Sequence, residues 1–291
     1  MRFSFLICCT AVAFLFCQLQ LIAAEEVPTP VKASIVSDVS AVEPGKPFLL
    51  GVLLEVDPGW HIYWKNSGDT GLPTKVLFKL PEGFKPEAIK WPLPQMFKSA
   101  GGIVDYGYED SLLLFTKIRV PDALETGSVV DIGADVSWVS CEEICIPGSG
   151  NLELKLPVSN KPVSNKAEHI NLELFSEWGR ALPLASKDDR NPFKIDISKA
   201  GKDENAEIIK ISLESESRMK NIELYPVPGD WAAVRSIRYD SKGGEGKTDI
   251  YLEIKPLNVK PAADAFLEAL VVYTSPSNER SGVELSIPLG N

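Results

Sequence analysis

The chain has 291 residues and carries 40 acidic against 30 basic side chains, a formal charge of −10 at neutral pH. That excess of acid argues against nucleic acid and anionic membrane surfaces as partners, and it favours solubility without naming a partner. The length suits two domains of ordinary size.

Residues 1–24 read as a secretory signal peptide. Arg2 is followed by an apolar run from Phe3 to Phe16 and then by small residues at Ala23 and Ala24. This is the order of a charged start, an apolar segment and a cleavage site. Gln18 and Gln20 interrupt the run below the length that spans a bilayer. Cleavage near Ala24 is therefore expected over an uncleaved anchor. A lipoprotein reading through Cys17 is disfavoured, because Phe16 precedes it where a small residue belongs. No later segment is long and apolar enough to span a bilayer. Cys8, Cys9 and Cys17 leave with the signal, so Cys141 and Cys145 remain, an even count in an oxidising space.

From residue 25 to about 158 the pattern is that of short strands broken by turns, such as "EPGKP", "DPGW" and "LPEGFKP". Such punctuation predicts a β-sandwich. Trp60, His61, Tyr63 and Trp64 crowd one strand. They suit either a carbohydrate platform or core and edge packing, and packing is the commoner use. His61 then reads as a structural, hydrogen-bonded residue.

Next comes "SWVSCEEICIPGSG", residues 137–150. If extended, this spacing would hold the two cysteine Cα atoms about 13 Å apart, whereas a disulfide needs less than about 7 Å. The chain must reverse between them, through a three-residue hairpin loop or a helical turn. A ring this small constrains the unfolded chain by roughly 2 kcal/mol, against nearly 5 for a hundred-residue loop. A structural disulfide and an exchangeable one remain equally open on spacing alone. Glu142 and Glu143 sit between the cysteines. Carboxylates beside a thiol disfavour the thiolate, which suits a protein that releases electrons only to a docked partner. Two thiolates also suit Cu(I), with Met96, Met219, His61 and His169 as further candidates. Zinc lacks two more obvious ligands.

"NLELKLP", residues 151–157, alternates leucines with polar residues and closes the first domain. The tandem duplication "PVSNKPVSNK" spans residues 157–166, and the linker is placed at 159–166. One short helix follows, with Ile170, Leu174, Phe175, Trp178 and Leu182 on one face and Pro183 as its stop. Residues 167–291 then read as a second β-sandwich of unassigned function. "IIKISLES" and "DIYLEIK" are its clearest alternating strands. "SKGGEGKT", residues 241–248, imitates a phosphate-binding loop. It precedes a strand instead of a helix, so a hairpin loop is the reading adopted.

Three separated motifs occur in order: "DPGWHIYWKNSGDTGLPT", "WPLPQMFKSAGGIVDYGYEDSLLLF" and "WVSCEEICIPG". Together they resemble the N-terminal periplasmic domain of the DsbD family of thiol:disulfide interchange proteins, in its Trp-x-x-Cys-x3-Cys-x-Pro branch, over about residues 30–158. The resemblance implies an immunoglobulin-like sandwich in the periplasm, a redox-active Cys141–Cys145 pair, and links to cytochrome c biogenesis. It implies a module that passes reducing equivalents between proteins and uses no cofactor or metal. Its partners would be thioredoxin-like or disulfide-isomerase proteins and a membrane electron donor. Cys145 maps onto the cysteine that forms the mixed disulfide, and Cys141 onto the resolving thiol. Tyr106 and Tyr108, in "DYGYE", fall where the family's aromatic cap loop stands, without its usual phenylalanine. The second domain resembles a further sandwich that follows this module in some members. The chain is expected to stand alone, without the family's membrane and thioredoxin domains.

Overall fold

The structure, a computed structural model, describes residues 29–159, 170–203, 206–229, 231–240, 246–257 and 266–288. The expected signal peptide, nearly all of the expected linker and His169 lie outside the described residues.

The architecture is all-β and immunoglobulin-like, with one α-helix among the described residues. The first unit comprises β1 (Val31–Ser37), β2 (Phe48–Val56), β3 (His61–Gly68), β4 (Lys75–Lys79), β5 (Lys85–Pro86), β6 (Gln95–Lys98), β7 (Val104–Tyr108), β8 (Ser111–Arg119), β9 (Val129–Cys141) and β10 (Cys145–Pro157). They form two facing antiparallel sheets. One has the order β1-β2-β8-β5. The other runs β10-β9-β3-β7-β6, with β4 also paired to β9.

Alternation explains which side chains meet between the sheets. Along β9, Val130, Ile132, Ala134, Val136 and Trp138 are buried while Val129, Asp131 and Ser137 are exposed. β8 departs from this rule, for Leu112, Leu113, Leu114 and Phe115 are all buried. A strand reads this way when both of its faces are covered. Leu112 and Leu114 join the core between the sheets. Leu113 and Phe115 instead meet a helix, α1 (Leu172–Arg180), whose Phe175 approaches Phe115 edge-on at 5.7 Å between ring centroids. Leu174, Trp178 and Leu182 pack around that contact. Ile170, expected on the same face, precedes the helix and is 39% exposed. Asn171 starts α1 and donates its Nδ2 to Ser37 O at 3.0 Å, which ties the helix to the end of β1.

The second unit comprises β11 (Leu184–Ala185), β12 (Lys194–Asp203), β13 (Ala206–Glu214), β14 (Lys220–Val227), β15 (Ala232–Asp240), β16 (Lys247–Pro256), β17 (Phe266–Thr274) and β18 (Arg280–Pro288). Its sheets run β11-β18-β17-β14 and β12-β13-β16-β15. They enclose a core that includes Ile211, Leu213, Leu252, Val271 and Val283. Residues 241–245 of the glycine-rich stretch lie outside the described residues, and the flanking β15 and β16 are antiparallel partners. The two units share apolar surface, since Tyr225, Leu270 and Val272 belong to the same buried cluster as Trp64 and Tyr106. Among the described residues no helix is long and apolar enough to cross a membrane.

Phe175 is the one buried residue of α1. Phe175→Ala should therefore destabilise the full chain by about 3 kcal/mol or more in urea unfolding, the usual cost of emptying an aromatic site. A loss below about 1 kcal/mol would mean that α1 merely rests on the sheet.

Candidate functional site

β9 and β10 form a hairpin whose loop is Glu142, Glu143 and Ile144. Cys141 and Cys145 face each other across its last rung, with Cα atoms 4.2 Å apart, and are joined by a disulfide. The reversal demanded by their spacing is thus a three-residue hairpin loop. So short a separation marks a pair whose own N–H and C=O groups point away from each other. β10 is the edge of its sheet, so those groups of Cys145 face the open side. Pro147 has the same parity along the strand, and its missing N–H falls on this open side, where proline is tolerated.

The two sulfurs are not equivalent. Cys145 is exposed, whereas Cys141 is 4% exposed. Cys141 projects from the outer face of the sheet and is covered there by Tyr63. The Tyr63 hydroxyl donates to Cys141 Sγ at 3.0 Å and lies 3.9 Å from Cys145 Sγ. Strand register explains the meeting. His61 lies opposite Cys141, and Tyr63, two residues on, projects to the same face.

After β3 the chain leaves the sheet and returns as a flap over Tyr63. At its base the Thr74 hydroxyl donates to Tyr63 O at 2.7 Å. At its tip Thr70 Oγ1 lies 3.4 Å from the Tyr63 hydroxyl. Thr70 is itself clamped, donating its hydroxyl to Asp105 Oδ2 at 2.7 Å and its N–H to Oδ1 at 2.8 Å. Gly71 lies against the Tyr63 ring at φ +67°, and a Cβ there would come within 2.1 Å of a ring carbon. Both the conformation and the contact require glycine.

Burial raises the Tyr63 pKa, so its hydroxyl keeps its proton at neutral pH and remains a donor. Burial lowers the His61 pKa against the opposing pull of the Asp105 and Glu109 carboxylates. The neutral ring stacks on Phe97 at 4.6 Å, and its Nε2 is buried without a hydrogen-bond partner.

Residues 28–157 match the family model described as thiol:disulfide interchange protein DsbD, N-terminal. This stretch is a DsbD N-terminal domain. Among solved structures, the chain is similar to the N-terminal periplasmic domain of ScsB from Proteus mirabilis, at 16% identity and a TM-score of 0.64. That match covers 90% of this chain and 95% of the other, so the fold of both β units recurs there. The N-terminal domain of DsbD from Neisseria meningitidis, in its reduced form, also matches, at 10% identity and a TM-score of 0.26. It covers 43% of this chain and 85% of that one. No curated protein matches the chain.

Within the DsbD N-terminal domain the expected cap requires correction. Tyr106 and Tyr108 alternate with Asp105 and Gly107 along β7, so they face the core while Asp105 faces the site. Tyr108 pairs with Ile62 in register and donates its hydroxyl to Pro92 O at 2.8 Å. Tyr106 lies against Tyr225 of the second unit at 4.9 Å. The cover over Cys141 is instead Tyr63 with Thr70 and Gly71. Reading the aromatic run as packing obscured Tyr63; the usable signal was its even spacing from His61. Glu142 and Glu143 stand exposed on the hairpin loop, with the Glu142 carboxylate against Gly59.

Of the described candidates for Cu(I), His61 lies opposite Cys141, but the two methionines lie in separate cores. Met96 packs against the first core and Met219 against the second, while His61 stacks on Phe97.

Tyr63→Phe keeps the ring under the flap and removes the hydroxyl that donates to Cys141. A hydrogen bond to a charged acceptor is worth about 1.5–3 kcal/mol, and one pKa unit is about 1.4 kcal/mol. In the reduced protein, the Cys141 thiol pKa should therefore rise by about one unit or more, read from the pH profile of alkylation in Cys145→Ser. The thiolate fraction at neutral pH then falls. An unchanged profile would show that the hydroxyl does not stabilise the thiolate.

Proposed function

We propose that this protein is a periplasmic thiol–disulfide exchange module, passing reducing equivalents between protein partners through Cys141 and Cys145. The observation that carries this reading is the asymmetry of the two sulfurs. An exposed Cys145 stands on an open strand edge, and Cys141 is buried against a hydroxyl donor. Family membership of residues 28–157 supports the same reading.

A donor thiolate attacks Cys145 Sγ along the open side. The Cys141–Cys145 bond breaks, its electron pair leaves on Cys141, and Tyr63 stabilises that thiolate through its O–H. The donor's second thiolate then attacks the donor sulfur of the mixed disulfide and displaces Cys145. The donor departs as a disulfide, and the pair has gained two electrons and two protons. Delivery runs the same steps in reverse. The Cys145 thiolate attacks an acceptor disulfide, and Cys141 resolves the mixed disulfide by attacking Cys145 Sγ. The protein thus acts as a protein-disulfide reductase or electron-transfer component.

Thioredoxin-like or disulfide-isomerase proteins are the acceptors in this reading, and a membrane protein supplies the electrons. The open N–H and C=O of Cys145 offer a partner backbone two strand-like hydrogen bonds. Ile144, 62% exposed beside Cys145, offers an apolar contact.

Reduced Cys141→Ser, mixed with an oxidised thioredoxin-fold disulfide isomerase, should accumulate a mixed disulfide on Cys145. Cys145→Ser should trap at least tenfold less, since its remaining thiol is buried. Equal trapping by both variants, or trapping only through Cys141, would contradict the assignment.

A further inference from the structure

The residues that follow Tyr63 on β3 are held by the second β unit. Trp64 meets Tyr225 edge-on at 6.1 Å between ring centroids, and Lys65 pairs with Glu268 at 3.1 Å. Asn66 makes two bonds with different atoms. Its Nδ2 donates to Pro226 O at 2.6 Å in the second unit, and its Oδ1 accepts the Gly68 N–H at 3.3 Å. An amide has its donor and its acceptor on separate atoms, so these two partners together fix one orientation of the side chain.

Gly68 is where the flap begins. It has φ +89°, and a Cβ on it would stand 2.3 Å from Val104 O. Asp69 then grips β7, donating its N–H to Val104 O at 2.9 Å and accepting the Val104 N–H at 2.8 Å. Thr70 and Gly71 follow directly and close over Tyr63. Between Tyr63 and Gly71 the chain therefore passes from the disulfide to the second unit and back to the disulfide.

We propose that Asn66 is a positioning residue for the redox site, and that through it the second β unit holds the Thr70–Gly71 flap closed over Tyr63 and Cys141. This gives the second unit a role in exchange: it sets how readily the disulfide opens. The proposal rests on reading Cys141–Cys145 as an exchangeable pair. A small dithiol nevertheless probes the flap without any protein partner.

The test uses the full chain and dithiothreitol, which reduces the disulfide to two thiols and is itself oxidised to a cyclic disulfide. Dithiothreitol can attack the exposed Cys145 Sγ without the flap opening, and Cys141 then leaves as a thiolate stabilised by the Tyr63 hydroxyl. Asn66→Ala loses both hydrogen bonds, which loosens the flap over Tyr63, so the reduction rate should fall several-fold, up to roughly tenfold. Asn66→Asp separates the two bonds, because its carboxylate still accepts from Gly68 but cannot donate to Pro226 O. It should reproduce most of the loss. Both rates should depend only weakly on urea, the mark of a local change. Wild-type rates in both variants would overturn the proposal. So would a loss confined to Asn66→Ala, which would make the tie local to the flap. Faster reduction in either variant would overturn it as well. If Cys145 captures no thioredoxin-fold protein, the exchange reading fails while these rates still decide the role of Asn66.

Discussion

Tyr63 and Trp64 are neighbours in the chain and point to opposite faces of one sheet. The period of two along β3 sends Tyr63 outward to Cys141 and Trp64 inward to the core that both β units share. Much of the molecule follows from this division. β7 pairs with β3 and obeys the same parity, so Asp105 joins the site while Tyr106 and Tyr108 join the core. The departure of the chain after β3 creates the flap, and its return at Thr74 closes it. A slip of one residue in the β3–β9 register would put Ile62 against the disulfide and bury the Tyr63 hydroxyl among apolar groups.

The same geometry decides which electrostatic influence on the thiols dominates. Glu142 and Glu143 are nearer in sequence but stand in water, where screening weakens their effect on a neighbouring thiolate. Tyr63 contributes a single hydrogen bond, but it is buried and aimed at one sulfur. Such a bond to a thiolate is worth about 1.5–3 kcal/mol, a factor of roughly ten or more in favour of Cys141 as the leaving group. Exposure acts in the same direction, because an incoming thiolate can reach Cys145 and not Cys141.

The strands, the helix and the hairpin around the cysteines were legible in the sequence because each rests on local spacing. The leucines of "NLELKLP" alternate, Phe175 and Trp178 share a helix face, and two cysteines with three residues between them demand a reversal. The unbroken run Leu112–Phe115 also carried information, since burial on both faces requires a second layer, which α1 supplies. The cap was not legible. "DYGY" can place either its tyrosines or Asp105 toward the site, and only the pairing of β7 with β3 chooses between them. Thr70 and Gly71 reach Tyr63 through a loop whose path depends on contacts with β7 and with the second unit, so no local pattern announces them.

The proposed exchange requires that the Cys141–Cys145 disulfide opens and closes in service and is not a fixed brace. Equilibrating the full chain in glutathione or dithiothreitol buffers, and counting free thiols by alkylation, measures its midpoint potential directly. An exchangeable pair should give a value above about −300 mV, within the range in which exchange proteins work. A midpoint well below about −300 mV, the territory of structural disulfides, would contradict it.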